Sequence, residues 1–420
     1  YYQNVWTTPA DLAAGKVNVY NENFFVDLKN LNLDWVLLNN GVPVREGRIS
    51  DLNVAPGATE TIQIPYGKIS DRGEWLLNVD YSLKNEEGLL PAGHVVARAQ
   101  IALNNPAALN MDIKVRAAAN ESVSAPEIVD NNWNFLIVKG NDFNIEFNRH
   151  SGYMMKYNVG GLEMIEPGLA VTPNFWRAPT DNDYGANLQN KYVVWKSPEV
   201  KLEKLNYEKQ GEFVVVKADY TIPAVSATFS MTYQINAAGV VKVTEALKAD
   251  KNAKVSDMFR FGVQMPMPAQ FDALQYYGRG PIENYSDRNH STRLGVYNQT
   301  VAEQFYPYIR PQETGTKTDI RYWRLVNRGG RGLEFMSDAP FSASALNYTV
   351  ESLDNGPDKT QMHSPEVPQC GYTNVLVDKA QMGLGCVNSW GALPLKEYRL
   401  PYQDYTFTFI MRPVTHSLHN

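Results

Sequence analysis

The segment His94-Val95-Val96-Ala97-Arg98-Ala99-Gln100-Ile101-Ala102-Leu103 alternates along its length: Val95, Ala97, Ala99, Ile101 and Leu103 share one face, Arg98 and Gln100 the other. Successive side chains leave a β-strand on opposite faces, so a period of two predicts a half-buried strand. Similar short runs precede it at Lys16 to Tyr20, Asn23 to Leu28, Trp35 to Leu38, Glu60 to Pro65 and Glu74 to Tyr81. Asn39-Asn40-Gly41, Pro56-Gly57 and Asn85-Glu86-Glu87-Gly88 supply turn residues between them.

About seven short strands with regular turn signals predict an immunoglobulin-like β-sandwich over 1–110, by pattern alone, since the Cys-Trp-Cys hallmark is missing. Asn104-Asn105-Pro106 and the small, polar run Ala117-Ala118-Ala119-Asn120-Glu121-Ser122 then dilute the strand pattern. They place a linker at 111–127 and a second all-β unit at 128–420. Its expected strands include Trp133 to Val138, Phe143 to Phe147, Tyr153 to Tyr157, Phe213 to Tyr220, Ala227 to Ile235, Val240 to Leu247, Arg260 to Gln264 and Gly332 to Met336. Near the end, Tyr405, Phe407, Phe409 and Met411 alternate with Thr406, Thr408 and Ile410, giving an aromatic face for packing on a second sheet. A unit of this size with no regular series of long helices predicts a many-stranded sandwich whose rim loops carry the chemistry.

At 420 residues and 44% apolar content, the chain is far above the size at which a core becomes marginal. Its formal net charge of -6 offers no long-range attraction for nucleic acid or an anionic membrane. No run of eighteen uninterrupted apolar residues occurs, which argues against a membrane-spanning helix. Cys370 and Cys386 are too few for a disulfide scaffold and lack zinc-ligand spacing. They allow one loop-closing disulfide in an oxidising compartment, or two free thiols. The start Tyr1-Tyr2-Gln3, without initiator Met or leader, reads as a cut piece.

Four regions gather polar and aromatic side chains. The first, Thr172-Pro173-Asn174-Phe175-Trp176-Arg177-Ala178-Pro179-Thr180-Asp181-Asn182-Asp183-Tyr184-Gly185, suits a structured loop or strand margin because its prolines remove backbone donors. Its rings, guanidinium and carboxylates fit the wall of a sugar cleft, and equally a loop clamped by Arg–carboxylate pairing. The second, Tyr276-Tyr277-Gly278-Arg279-Gly280-Pro281-Ile282-Glu283-Asn284-Tyr285-Ser286-Asp287-Arg288, has a turn-forming centre without the spacing of a dinucleotide or phosphate loop. The third is Tyr306-Pro307-Tyr308-Ile309-Arg310-Pro311-Gln312-Glu313-Thr314-Gly315 and the fourth Asn388-Ser389-Trp390-Gly391. Trp176, Arg177, Tyr277, Arg279, Glu283, Arg310 and Glu313 are therefore candidates for cleft or structural roles. For Glu283 and Glu313 the plainer role is pairing with arginines such as Arg279, Arg288 or Arg310.

In this order and at these intervals, the four regions resemble the carboxy-terminal part of a LacZ-like β-galactosidase of glycoside hydrolase family 2, over nearly the whole chain. The resemblance implies an immunoglobulin-like domain followed by the small-chain domain, a galactose-mutarotase-like β-supersandwich. Enzymes of that family are retaining glycosidases whose two glutamates lie in a barrel, which would precede Tyr1. The resemblance thus implies no catalytic residue and no cofactor or metal ligand in this chain, with magnesium held only by the catalytic part. It implies that Trp390, in the Ser-Trp motif, helps hold the sugar at the active-site mouth, although Cys386-Val387-Asn388 stands where acidic residues are usual. Implied partners are the missing catalytic barrel of the same polypeptide, a galactoside substrate, and further copies in a homo-oligomer, but neither nucleic acid nor membrane. The bacterial cytoplasm and periplasm both stay open.

Two other functions compete with the noncatalytic-fragment reading. An autonomous carbohydrate-binding module would use cleft aromatics such as Trp176 or Tyr277, whereas a purely structural interaction fragment would bind no sugar. Proton transfer at an anomeric centre would need a carboxylate and a histidine; Glu283, Glu313 and His363 suit it only superficially. Asp181-Asn182-Asp183-Tyr184-Gly185 lacks the spacing of a calcium loop, and hydrogen bonds to Arg177 are its simpler role.

Overall fold

The computed structural model describes residues 2–115, 124–359, 362–385, 387–388 and 391–414. Backbone contacts gather the chain into two units, Tyr1–Ala108 with Arg293–Val296, and Leu109–Thr292 with Tyr297–Asn420. Both are built of antiparallel strands, so the all-β class, with a small sandwich first and a far larger stranded unit after it, is as the sequence predicts.

In the first unit a four-stranded sheet runs in the order Val42–Ile49, Leu31–Asn39, Trp75–Leu83, Val95–Ala102. A three-stranded sheet of Val5–Asp11, Lys16–Asn21 and Thr59–Gln63 is its counterpart. Val17, Val19, Leu33, Trp35, Leu37, Leu77, Val79 and Tyr81 form one buried cluster. Gly47 lies against Trp35 so closely that a Cβ there would come within 2.6 Å of the indole, a clash only glycine avoids.

The expected strand Asn23 to Leu28 is instead a loop. The buried Asn21 side chain organises it, donating to the carbonyls of Val26 (2.9 Å) and Val54 (3.1 Å) and accepting from the Asn23 amide (3.0 Å). These local bonds satisfy the backbone without a ladder and leave Phe24 and Phe25 85% and 94% exposed.

In the second unit the main path of a 12-stranded sheet, counted among the described residues, begins with Thr172–Asn174, Arg260–Pro268, Tyr372–Gln381 and Gly332–Leu346. It continues through Tyr405–Val414, Val241–Ala249, Ala227–Ile235, Phe213–Ile222 and Lys201–Gln210. Off this path, Ala273–Gly280 pairs with Arg293–Thr300 and Lys317–Val326, and the latter joins Gly332–Leu346. A five-stranded sheet has the order Leu162–Glu163, Met154–Val159, Phe143–Asn148, Phe135–Lys139, Glu127–Val129. Phe147, Tyr157, Tyr233, Phe261, Phe335 and Phe409 belong to one continuous buried cluster.

Several boundaries differ from the sequence reading; the expected strands from Gly332 and Arg260, for example, run on to Leu346 and Pro268. Trp133 lies outside the strand Phe135–Lys139 and is exposed. Tyr276 to Gly280 complete a strand, so the turn expected around Gly278 starts at Pro281, after a cis Gly280–Pro281 bond. The helices are short, and no helix among the described residues is long and apolar enough to cross a membrane.

Candidate functional site

The Thr172–Gly185 segment enters as a strand on the edge of Arg260–Pro268 and ends in the one-turn helix Asp181–Gly185. Arg177, fully buried, holds Asp183 through two bonds, Nε to Oδ2 at 3.0 Å and Nη2 to Oδ1 at 2.8 Å. It also donates to the carbonyls of Met382 (2.5 Å) and Gly383 (3.1 Å) and lies over the Phe259 ring, 4.7 Å from its centre. Asp183 in turn accepts from the Thr180 amide (2.8 Å), and the Thr180 hydroxyl accepts from the Asp183 amide (3.2 Å). This is a reciprocal capping box, so both Asp183 oxygens are committed to a brace.

Trp176 is 5% exposed and donates Nε1–H to Asp354 Oδ2 (2.9 Å), while its ring meets Phe259 edge-on. Lys196 pairs with the same Asp354 at 2.6 Å and sits over the Trp176 indole. The fourth region meets the first at its end: Gly391, at φ 88°, lies so near Gly185 that a Cβ would come within 2.6 Å of its carbonyl oxygen. Ser389, Trp390 and Cys386 lie outside the described residues, so neither the Trp390 sugar contact nor a Cys370–Cys386 pair is placed. Cys370 is half-buried.

Glu313 reaches inward, not into an open cleft. It accepts from Arg260 Nη2 (3.1 Å) and the Thr316 hydroxyl (2.8 Å), and Asp378 lies 3.3 Å from Arg260 Nε. Arg260 is a partner that sequence reasoning misses, because Arg-Phe-Gly-Val reads there simply as part of a strand. Glu245, fully buried nearby, is held well above the usual carboxylate range by burial and then by the Asp378 charge. Burial pushes Asp378 up to about 7 against the pull of Arg260.

A carboxyl group with a raised folded pKa binds its proton more tightly in the folded state. The associated stability is complete below the unfolded pKa near 3.8 and is lost as pH rises through about 7. The expected result is a Tm that falls between about pH 4 and pH 7. The fall is shallower in Glu245→Gln, as differential scanning calorimetry of the two proteins checks. Equal slopes would remove Glu245 from the account.

The second and third regions meet at Glu283. Its carboxylate accepts from the Tyr308 hydroxyl, Arg288 Nη2 (2.7 Å), the Thr314 hydroxyl (3.1 Å) and the Gly315 amide (2.8 Å). Arg279 pairs with Asp319 at 2.5 Å and donates to the Thr292 carbonyl. Tyr277 is buried with the Arg321 guanidinium 5.6 Å from its ring centre, and Arg310 is half-buried near Tyr184. His363 is an exposed loop residue bonded to Glu366.

Beside Glu283 opens a cavity of about 550 Å³ whose wall includes Lys317, a residue with no motif to announce it. Lys317 is 1% exposed, and its ammonium donates to Gln304 Oε1 (2.8 Å) and the Gly315 carbonyl (3.1 Å). Burial pushes it down to about 8. Among the described residues no group of three His, Cys, Asp or Glu could hold a metal ion.

Residues 139–411 match the family described as beta galactosidase small chain, and 17–104 match beta-galactosidase, domain 4. The chain is 32% identical over 419 residues to a β-galactosidase of Priestia megaterium, covering 98% of this chain and 39% of that protein. It is 29% identical over 394 residues to a β-galactosidase of Lactobacillus delbrueckii subsp. bulgaricus, covering 93% of this chain and 37% of that one. It thus spans less than two-fifths of the length of these relatives. Among solved structures, galactose 1-epimerase from Lactobacillus acidophilus NCFM is similar over 69% of this chain and 98% of its own, with a TM-score of 0.38 and 7% identity.

Proposed function

This chain belongs to the β-galactosidase small-chain family, and from that membership we propose that it is the noncatalytic carboxy-terminal part of a retaining β-galactosidase acting on terminal β-D-galactosides. The observation that carries the proposal is the pairing of two family matches, domain 4 and small chain, with a span under two-fifths of each relative. The remaining length is ample for a barrel holding the two carboxyl groups that retaining hydrolysis needs. The acidic candidates support the same reading. Glu283 accepts from four donors and Glu313 is tied to Arg260, while Glu245 and Asp378, whose pKa values are raised, are sealed from any substrate.

In this proposal Trp390 stands at the active-site mouth and stacks on the sugar that leaves or accepts. The described residues on either side support that role, because Arg177 grips the carbonyls of Met382 and Gly383 while Gly391 abuts Gly185. Magnesium is held by the catalytic part, and the other partners are that part of the polypeptide and further copies of the protein. Trp176 and Tyr277, the platforms an autonomous binding module would use, are 5% and 4% exposed, which favours the fragment reading.

Turnover of a chromogenic β-galactoside is the test. The 420-residue chain alone gives no hydrolysis above buffer at high protein concentration. In the complete enzyme Trp390→Ala lowers kcat/KM about 3- to 10-fold, the scale of one aromatic contact. Hydrolysis that copurifies with the chain and vanishes on replacing one of its carboxylates would overturn the proposal.

A further inference from the structure

We infer that the cavity beside Glu283 and Lys317 is a second saccharide subsite, noncatalytic, that takes an uncharged pyranoside. This goes beyond membership of a galactosidase and beyond the Trp390 contact, since it rests on residues 282–317 alone. At about 550 Å³ the cavity has the capacity of a small-molecule site, for which roughly 300–1,000 Å³ is usual.

Its wall is built, not accidental. Glu283 ties its turn to the Tyr308–Gly315 loop through three accepted hydrogen bonds, from Tyr308, Thr314 and Gly315, while a fourth from Arg288 holds the turn itself, so the two sides are held at a fixed separation. Behind them Gln299 Oε1 accepts from Gln304 Nε2 (2.9 Å), and Gln304 Oε1 accepts from Lys317 (2.8 Å). That relay fixes the Gln304 amide and buries an ammonium in the cavity wall. Both acceptors named for Lys317 are neutral, and an ammonium has three donors. One donor therefore remains beyond those two bonds, in a site where a ligand hydroxyl would satisfy it and no protein carboxylate does so among the described residues.

The remaining chemistry selects the ligand class. Tyr306 is 57% exposed and leans on Tyr308 with ring centres 4.6 Å apart, presenting a supported aromatic surface suited to the C–H face of a sugar ring. Glu303 uses Oε2 for the Thr300 amide and hydroxyl, which directs one carboxylate oxygen to structure and leaves Oε1 as an acceptor for a hydroxyl. The ionisable side chains lining the cavity include Glu283, Arg288, Glu303 and Lys317, two acidic and two basic. A charge-balanced wall gives an anionic or cationic ligand no net attraction, whereas an apolar face edged with hydroxyls matches ring, donor and acceptor together.

Saturation-transfer NMR and calorimetry on the purified chain test the assignment, with methyl β-D-galactopyranoside and lactose as probes and galacturonate as the anionic comparator. The expected result is saturable binding of a neutral probe with Kd ~1 mM, about 4 kcal/mol, and at least tenfold weaker binding of galacturonate. Tyr306→Ala and Glu303→Gln, both at exposed positions, weaken it about tenfold without lowering Tm, and Lys317→Met removes it. If Lys317→Met fails to fold, the two surface variants decide. No saturation with either neutral probe, unchanged binding in both surface variants, or preference for the anion would overturn the subsite. None of these readouts involves turnover, so their failure leaves the galactosidase proposal standing.

Discussion

Arg260→Met lowers the stability of the larger unit by about 3–5 kcal/mol, the usual cost of breaking a buried ion pair from one side. Arg260 is fully buried and faces two buried carboxylates, Glu313 at 3.1 Å and Asp378 at 3.3 Å, with Glu245 also nearby. Methionine fills the volume but leaves Glu313 and Asp378 without the buried cation they share, and their mutual repulsion adds to their desolvation. The loss is largest at pH 8 and shrinks toward pH 5, because protonation of Asp378, already raised to about 7, relieves the buried charge. Urea unfolding at the two pH values, followed by intrinsic fluorescence, measures the difference. A pH-independent loss would mean that packing, not charge, is what Arg260 supplies.

Arg177→Ala is expected to cost a similar 3–5 kcal/mol, with a local signature that Arg260→Met lacks. The guanidinium binds Asp183 with two bonds, satisfies two carbonyls of the 382–383 segment and covers Phe259. Truncation therefore strands a buried carboxylate and two buried carbonyls at once. Arg177→Lys recovers little of this, because an ammonium cannot reproduce the planar fork. Limited proteolysis should cut near 181–191 and 382–391 before the sheet unfolds, and in the complete enzyme activity should fall by more than Trp390→Ala alone. Cleavage elsewhere first would separate Arg177 from the support of that loop.

The strands most legible in the sequence are those with one wet and one dry face. Val95–Ala102 buries Ala97 and Ile101 and exposes Arg98, and Tyr405–Val414 buries Phe407 and Phe409. Val42–Ile49 is illegible because, as an edge strand, it is exposed along most of its length and shows no alternation. Tyr372–Gln381 is hidden for the opposite reason, being buried through Thr373 to Asp378. The arginine–carboxylate logic of the first region is readable because Arg177 and Asp183 are six residues apart. The Arg260–Glu313 pair is not, since 53 residues separate its members and only the fold brings them together. Lys317 is invisible for a related reason, as no motif distinguishes a lysine whose partners come from a preceding loop.

The position of Tyr405–Val414 has a consequence for how the protein is made. It pairs with Val241–Ala249 on one side and Gly332–Leu346 on the other, so the strand that joins the two halves of the large sheet leaves the ribosome after both. Until then each half presents an open edge, the kind of surface that recruits strands from other molecules. Translation that stalls before residue 405 would release a chain with two such edges at once. The yield of soluble protein should therefore depend on completing synthesis and on shielding by chaperones during the delay.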